Sequence, residues 1–116
     1  MKRGEVWTVA GGSDSTGKPR PAVILQDDRF DATTSVTLCA FTTVTIDAPL
    51  LRLSVEPSPT NGLREASQLM VDKVVTVPRT RLRSRLGRLD DEDSLRLNRA
   101  LLVFLGLAAS PASRTQ

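Results

Sequence analysis

The chain has 116 residues, 40% of them hydrophobic and 25% charged, with a formal net charge of +3. That length supports one hydrophobic core and is too short for two ordinary domains. With no histidine and a single cysteine, the usual general base, almost every zinc arrangement and any intramolecular disulfide are excluded.

In chain order, Met1-Lys2-Arg3-Gly4-Glu5 lacks the apolar segment of a signal peptide. No later apolar run approaches bilayer-spanning length, so a cytoplasmic protein without a membrane partner is expected. Glu5-Val6-Trp7-Thr8-Val9-Ala10 reads as a first strand, with Val6 and Thr8 on one face and Trp7 and Val9 on the other; Trp7 is expected in the core. Gly11 to Gly17 reads as a polar, flexible loop. The chain then enters Lys18-Pro19-Arg20-Pro21-Ala22-Val23-Ile24-Leu25, where two prolines restrict the backbone around Arg20 at the mouth of a buried strand running to about Gln26. Arg20 has two readings, an exposed arginine at a strand start or a guanidinium facing a groove and suited to phosphate.

Asp27 to Ala32 reads as a polar connection anchored by Phe30, and Ser35 to Thr42 as a third strand rich in β-branched and apolar residues. Cys39, inside it, fits burial as a small hydrophobe. Thr42-Thr43 closes the strand; hydroxyl pairs are common in turns, so Thr42 stands out only if something pairs it with Arg20. Strict alternation over Leu51 to Glu56 marks a half-buried antiparallel strand, and the segment Pro57 to Gly62 breaks it with an Asn61-Gly62 turn. Ser67 to Val77 is strand-like with a bend partway.

Arg79, Arg81, Arg83, Arg85 and Arg88 lie in an acid-free stretch, a positive patch in either a strand or a short helix. Such a patch suits nucleic acid and equally a solvated face. Few aromatic rings are present for stacking bases, which argues against recognition-motif sheets and cold-shock barrels. Leu89-Asp90-Asp91-Glu92-Asp93-Ser94 then opens a helix from roughly Asp91 to Leu105, its aspartates capping free N–H groups and complementing the dipole. The apolar band of this helix is wider than one packing face needs, as a dimer contact would require. Gly106 stops the helix, and residues 108–116 read as a disordered tail beyond a single domain of residues 1–107.

Taken in order, these fragments resemble the MazF/PemK family of bacterial toxins, which are sequence-selective endoribonucleases. The resemblance covers about residues 2 to 107. It rests on Arg3-Gly4-Glu5-Val6-Trp7, Arg20-Pro21-Ala22-Val23-Ile24-Leu25, Phe41-Thr42, Asn61-Gly62-Leu63, Ser67, Val71-Asp72-Lys73-Val74-Val75-Thr76-Val77, Arg81-Leu82 and the Leu-Asp-Asp-Glu helix start. It implies a mainly β fold, an SH3-like antiparallel barrel of the MazF/CcdB toxin type with a C-terminal helix. It also implies a homodimer that cleaves single-stranded RNA without a cofactor or metal and is silenced by an acidic MazE-like antitoxin. By the same resemblance, Arg20 and Thr42 match the catalytic pair, while Lys18, Pro21, Thr43, Ser67 and Gln68 line the substrate groove. Lys73 departs from a frequent glutamine, and Ala66 from an acidic residue or proline.

Such chemistry is physically consistent with the residues present. In-line attack by a ribose 2′-hydroxyl builds charge on phosphoryl oxygens, which a planar guanidinium and a hydroxyl stabilise. A free guanidinium is a poor base at neutral pH, so Arg20 is expected to act chiefly by electrostatics. Two alternatives belong to other classes. CcdB-type toxins share the fold but poison gyrase through an aromatic-containing C-terminus, whereas this chain ends Ala112-Ser113-Arg114-Thr115-Gln116. The other is a barrel that binds nucleic acid without cutting it.

Overall fold

The computed structural model describes residues 1–11 and 18–108. Most of the expected Gly11–Gly17 loop, and the expected tail beyond Ala108, therefore lie outside the described residues. Six strands make one antiparallel sheet: β1 (Glu5–Val9), β2 (Arg20–Ile24), β3 (Ser35–Thr42), β4 (Arg52–Val55), β5 (Ser67–Pro78) and β6 (Leu82–Arg88), followed by helix α1 (Asp91–Phe104). Their order across the sheet is β4-β5-β3-β2-β1-β6, so β4 and β6 are its edges and ladder pairing does not close a barrel. The connection leaving β4 spans the gap instead. Its Thr60 carbonyl accepts the Arg88 N–H of β6 at 2.9 Å.

Period-two alternation explains why both faces of this sheet are covered. In β1 and β2, Val6 and Val23 point into a cluster completed by Phe41, Leu69, Val71 and, from α1, Leu97 and Leu101. Val9, Ala22 and Ile24 point the other way, into a cluster with Val36, Leu38 and Val77, and Trp7 packs at its margin. Trp7 is thus half-buried rather than central, because its indole N–H reaches back to the Glu5 carboxylate at 2.9 Å. The bend expected in the Ser67 strand is a register shift against β3 between Cys39 and Phe41. Cys39 is buried there, and burial, followed by the nearby Asp72 carboxylate, pushes its thiol up to about 12.

Two further expectations need correction. Phe30 anchors nothing in the core; it sits in a 3-10 turn, 53% exposed, with the Arg29 guanidinium over its ring. The helix cap residue Asp90 makes no side-chain hydrogen bond, and its carbonyl accepts Ser94 N–H at 2.9 Å. The acids of the first turn act on the dipole, and Asp93 pairs with Arg96 at 2.7 Å. The helix itself is as expected, running from Asp91 to Phe104 with Leu105 as its cap and Gly106 as its stop. Gly106, at φ 75°, donates to Val103, and Leu107 donates to Leu102, the paired bonds of a left-handed helix stop.

Candidate active site

Two strand ends build the site. β2 starts at Arg20, opposite Val9 of β1, and Pro19 and Pro21 hold the backbone on either side. β3 ends at Thr42. The last ladder pair between these strands is Ala22 with Ala40, and Arg20 and Thr42 each lie two residues beyond it, on the same face as that pair. Both line a cavity of about 380 Å³ whose remaining walls include Leu38, Phe41, Met70 and Val77, with Arg81 at its side.

Thr42 is held in a defined state. Its Oγ1 accepts the Val44 N–H at 3.1 Å, so the hydroxyl proton is available to an acceptor in the cavity. The next turn of chain is fixed by Gln68, which faces Thr42 across the β3–β5 ladder. Its carboxamide accepts the Ile46 N–H at 3.2 Å and donates to the Ile46 carbonyl at 3.1 Å. Gln68 is 6% exposed and lines neither cavity of the site; it secures the loop behind Thr42.

The other residues singled out from the sequence fall on the opposite side of β2. Lys18, Pro21, Thr43 and Ser67 line a second cavity of about 610 Å³, together with Arg64 and Arg83. Alternation separates Pro21 from its neighbour Arg20, while Lys18 precedes β2 and is placed by the chain leading into the strand. Ser67 spends its hydroxyl on the Glu65 carbonyl at 3.0 Å.

Arg64, Arg81 and Arg83 were not singled out as site residues by sequence. The expected patch from Arg79 to Arg88 is broken up by a 3-10 turn at Arg79–Arg81 followed by β6. Arg79 donates to the Thr33 carbonyl, Arg85 pairs with Glu5 at 3.0 Å, and Arg88 pairs with Asp91 at 3.3 Å. The acid-free spacing flagged the group but not which members reach a cavity. Among the described residues, no three His, Cys, Asp or Glu side chains gather as a metal site would require, and no helix is long and apolar enough to cross a membrane.

A family model for the PemK-like, MazF-like toxin of type II toxin-antitoxin systems matches residues 2–105. The probable endoribonuclease MazF of Mycolicibacterium smegmatis is 58% identical over 108 residues, 93% of this chain and 99% of that protein. Two solved structures share the fold. Mycobacterium tuberculosis toxin MazF-mt6 superposes with a TM-score of 0.75 at 24% identity, covering 90% of this chain and 99% of that one. An endoribonuclease in complex with its cognate antitoxin, from a mycobacterial species, gives 0.74 at 22% identity, covering 95% and 97%. On the family match and the extent of the sequence identity, the chain belongs to the PemK-like, MazF-like toxins of type II toxin-antitoxin systems.

Proposed function

We propose that this toxin is an endoribonuclease that cleaves single-stranded RNA by in-line attack of a ribose 2′-hydroxyl on the adjacent phosphorus, with Arg20 and Thr42 as its catalytic residues. The observation that supports this reading is the shared cavity: a guanidinium and a proton-donating hydroxyl meet in apolar walls without a carboxylate among the lining residues. As the 2′-oxygen bonds to phosphorus, negative charge grows on the phosphoryl oxygens. Arg20 stabilises that charge through N–H donors, and Thr42 adds an O–H donor fixed by Val44. The bond to the 5′-oxygen of the next nucleotide breaks, leaving a 2′,3′-cyclic phosphate upstream and a 5′-hydroxyl downstream. Proton transfer passes through solvent, because an arginine at neutral pH holds its proton.

The second cavity, with Lys18, Arg64 and Arg83, holds the flanking chain of the RNA, and Pro21, Thr43 and Ser67 shape its wall. The protein works in the cytoplasm as a homodimer, covering the apolar end of α1, where Leu102, Val103, Phe104, Leu105 and Leu107 are exposed. An acidic antitoxin segment silences it by occupying the two cavities, where Arg20, Arg81, Lys18, Arg64 and Arg83 outnumber the single acid, Glu65.

Incubating the purified protein with a long single-stranded RNA in EDTA tests the reading. Discrete cuts bearing 5′-hydroxyl ends are expected. Activity abolished by EDTA and restored by magnesium would sink the mechanism. Retention of RNA without cuts would leave a binding module, and gyrase inhibition without RNA cleavage would favour the CcdB-like alternative.

A further inference from the structure

Arg81 is the third polar side chain lining the Arg20–Thr42 cavity. Unlike Arg85 and Arg88 it has no carboxylate within ion-pair distance among the described residues. Its guanidinium is nevertheless anchored. Nε and Nη2 donate to the Ala10 carbonyl at 3.0 and 2.7 Å, and the Ala10 N–H returns a bond to the Arg81 carbonyl at 2.8 Å.

A guanidinium carries its donors in one rigid plane, and a single carbonyl satisfies only one side of that fork. The Nη1 side has no acceptor among the described residues. A cation with no carboxylate partner among the described residues focuses positive potential into the concavity and is costly to desolvate unless an anion arrives. Arg20 alone would meet an incoming phosphodiester from one strand; Arg81 approaches the same space from the turn before β6.

We propose that Arg81 is a second phosphate-binding residue, sharing with Arg20 the phosphodiester held in this cavity, while its bonds to Ala10 fix the guanidinium in the orientation this requires. The inference rests on the RNA-cleaving reading above. It names Arg81 as a substrate-contacting group in addition to Arg20 and Thr42.

The test compares wild type with Arg81→Met and Arg81→Lys. Binding of a fully 2′-O-methylated single-stranded RNA, which cannot be cleaved, is measured over a series of salt concentrations. Losing one phosphate contact should flatten the slope of log K against log salt by about 0.7 in Arg81→Met, and the retained charge of Arg81→Lys should restore most of it. Cleavage of unmodified RNA by Arg81→Met should fall about 10²-fold, the scale for removing one positioned donor from a developing anion. If Arg81 served only to tie down Ala10, both variants would lose thermal stability and activity alike while the salt slope stayed at the wild-type value, and the proposal would be overturned. Parental cleavage by Arg81→Met would overturn it as well. Wild-type protein that neither binds nor cuts RNA would bring down the ribonuclease reading itself; cutting that depends on Arg20 with an unchanged slope in Arg81→Met would bring down the Arg81 assignment alone.

Discussion

Arg20 and Thr42 stand two residues past the final ladder pair of β2 and β3, Ala22 with Ala40, and face one cavity, although they are 22 positions apart in the sequence. Replacing either should damage chemistry more than folding, since neither is buried. Arg20→Ala is expected to lower the cleavage rate by about 10²-fold or more, and Thr42→Val to impair it while leaving the thermal midpoint nearly unchanged. Thr42→Ser keeps both the acceptor for Val44 and the donor, so it should retain most of the rate. Parental rates in both Arg20→Ala and Thr42→Val would show that the site lies elsewhere.

The antitoxin proposal makes a kinetic claim. Lys18, Arg64 and Arg83 line the second cavity, and such potential accelerates encounter with an acidic chain. Arg83→Glu should slow association with the cognate antitoxin by about tenfold at low ionic strength, with the gap narrowing as salt rises. Stopped-flow mixing reads this directly. An association rate indifferent to both charge reversal and salt would remove electrostatic steering from the account.

Dimer formation can be separated from folding. Leu102 is 42% and Leu105 is 58% exposed in the single chain, so neither is needed by the core of its own subunit. Leu105→Asp should therefore yield a folded monomer by sedimentation at micromolar concentration, where the wild type sediments as a dimer. A wild type that is monomeric there contradicts the proposal.

The edge-closing connection is sterically exacting. Asn61, fully buried, accepts the N–H groups of Ser58 and Leu63 and donates to the Glu56 carbonyl, which sets the turn against β6. A Cβ on Gly62 would stand 2.3 Å from the Leu86 carbonyl oxygen, and one on Gly87 would stand 2.2 Å from that of Thr60. Gly106 also has positive φ, but nothing lies within 4 Å of its Cβ position. Gly62→Ala and Gly87→Ala should each cost about 3 kcal/mol or more, whereas Gly106→Ala should cost about 1 kcal/mol from left-handed strain alone. Denaturant melts give the comparison, and equal effects at all three positions would contradict this view of how the sheet is closed.

These contrasts show what the sequence could carry. β3 was legible to the residue because β-branched and apolar side chains fill it from Ser35 to Thr42, and β4 to within one residue at each end because its alternation is strict. Arg20 and Thr42 could be paired only through resemblance, since their meeting depends on the β2–β3 register, which no local pattern encodes. The same limit hid the work of Gln68: its grip on Ile46 follows from lying opposite Thr42 in another ladder. The separation of Pro21 from Arg20, by contrast, was already implicit in the two-residue period of a strand, whereas Lys18, two residues before Arg20 and outside β2, reaches the second cavity in a way no strand period encodes. Phe30 misled because an aromatic residue in a polar connection suggests an anchor, yet here the ring lies on the surface beside Arg29.

Glu5 links acid stability to the β1–β6 edge of the sheet. Burial raises its pKa, but hydrogen bonds from the Trp7 indole, the Lys2 backbone N–H and the Arg85 guanidinium, with the charge of Arg85, outweigh that and hold it below its ordinary 4.5. The carboxylate accepts Trp7 at 2.9 Å and Lys2 at 3.0 Å on one oxygen and faces Arg85 at 3.0 Å with the other. A depressed carboxyl pKa means that the unfolded chain binds the proton more readily, so this contribution is full above pH 4.5 and is lost as pH falls through the folded-state value. Glu5→Gln keeps the shape and removes the charge. It should therefore cost about 1 kcal/mol or more at pH 7, where hydrogen bonds to an ionised group are lost, and progressively less as the pH drops below 4.5. Thermal midpoints of wild type and variant measured from pH 3 to pH 7 should converge toward the acid end; a gap of constant size across that range would show that the charge on Glu5 contributes nothing to stability.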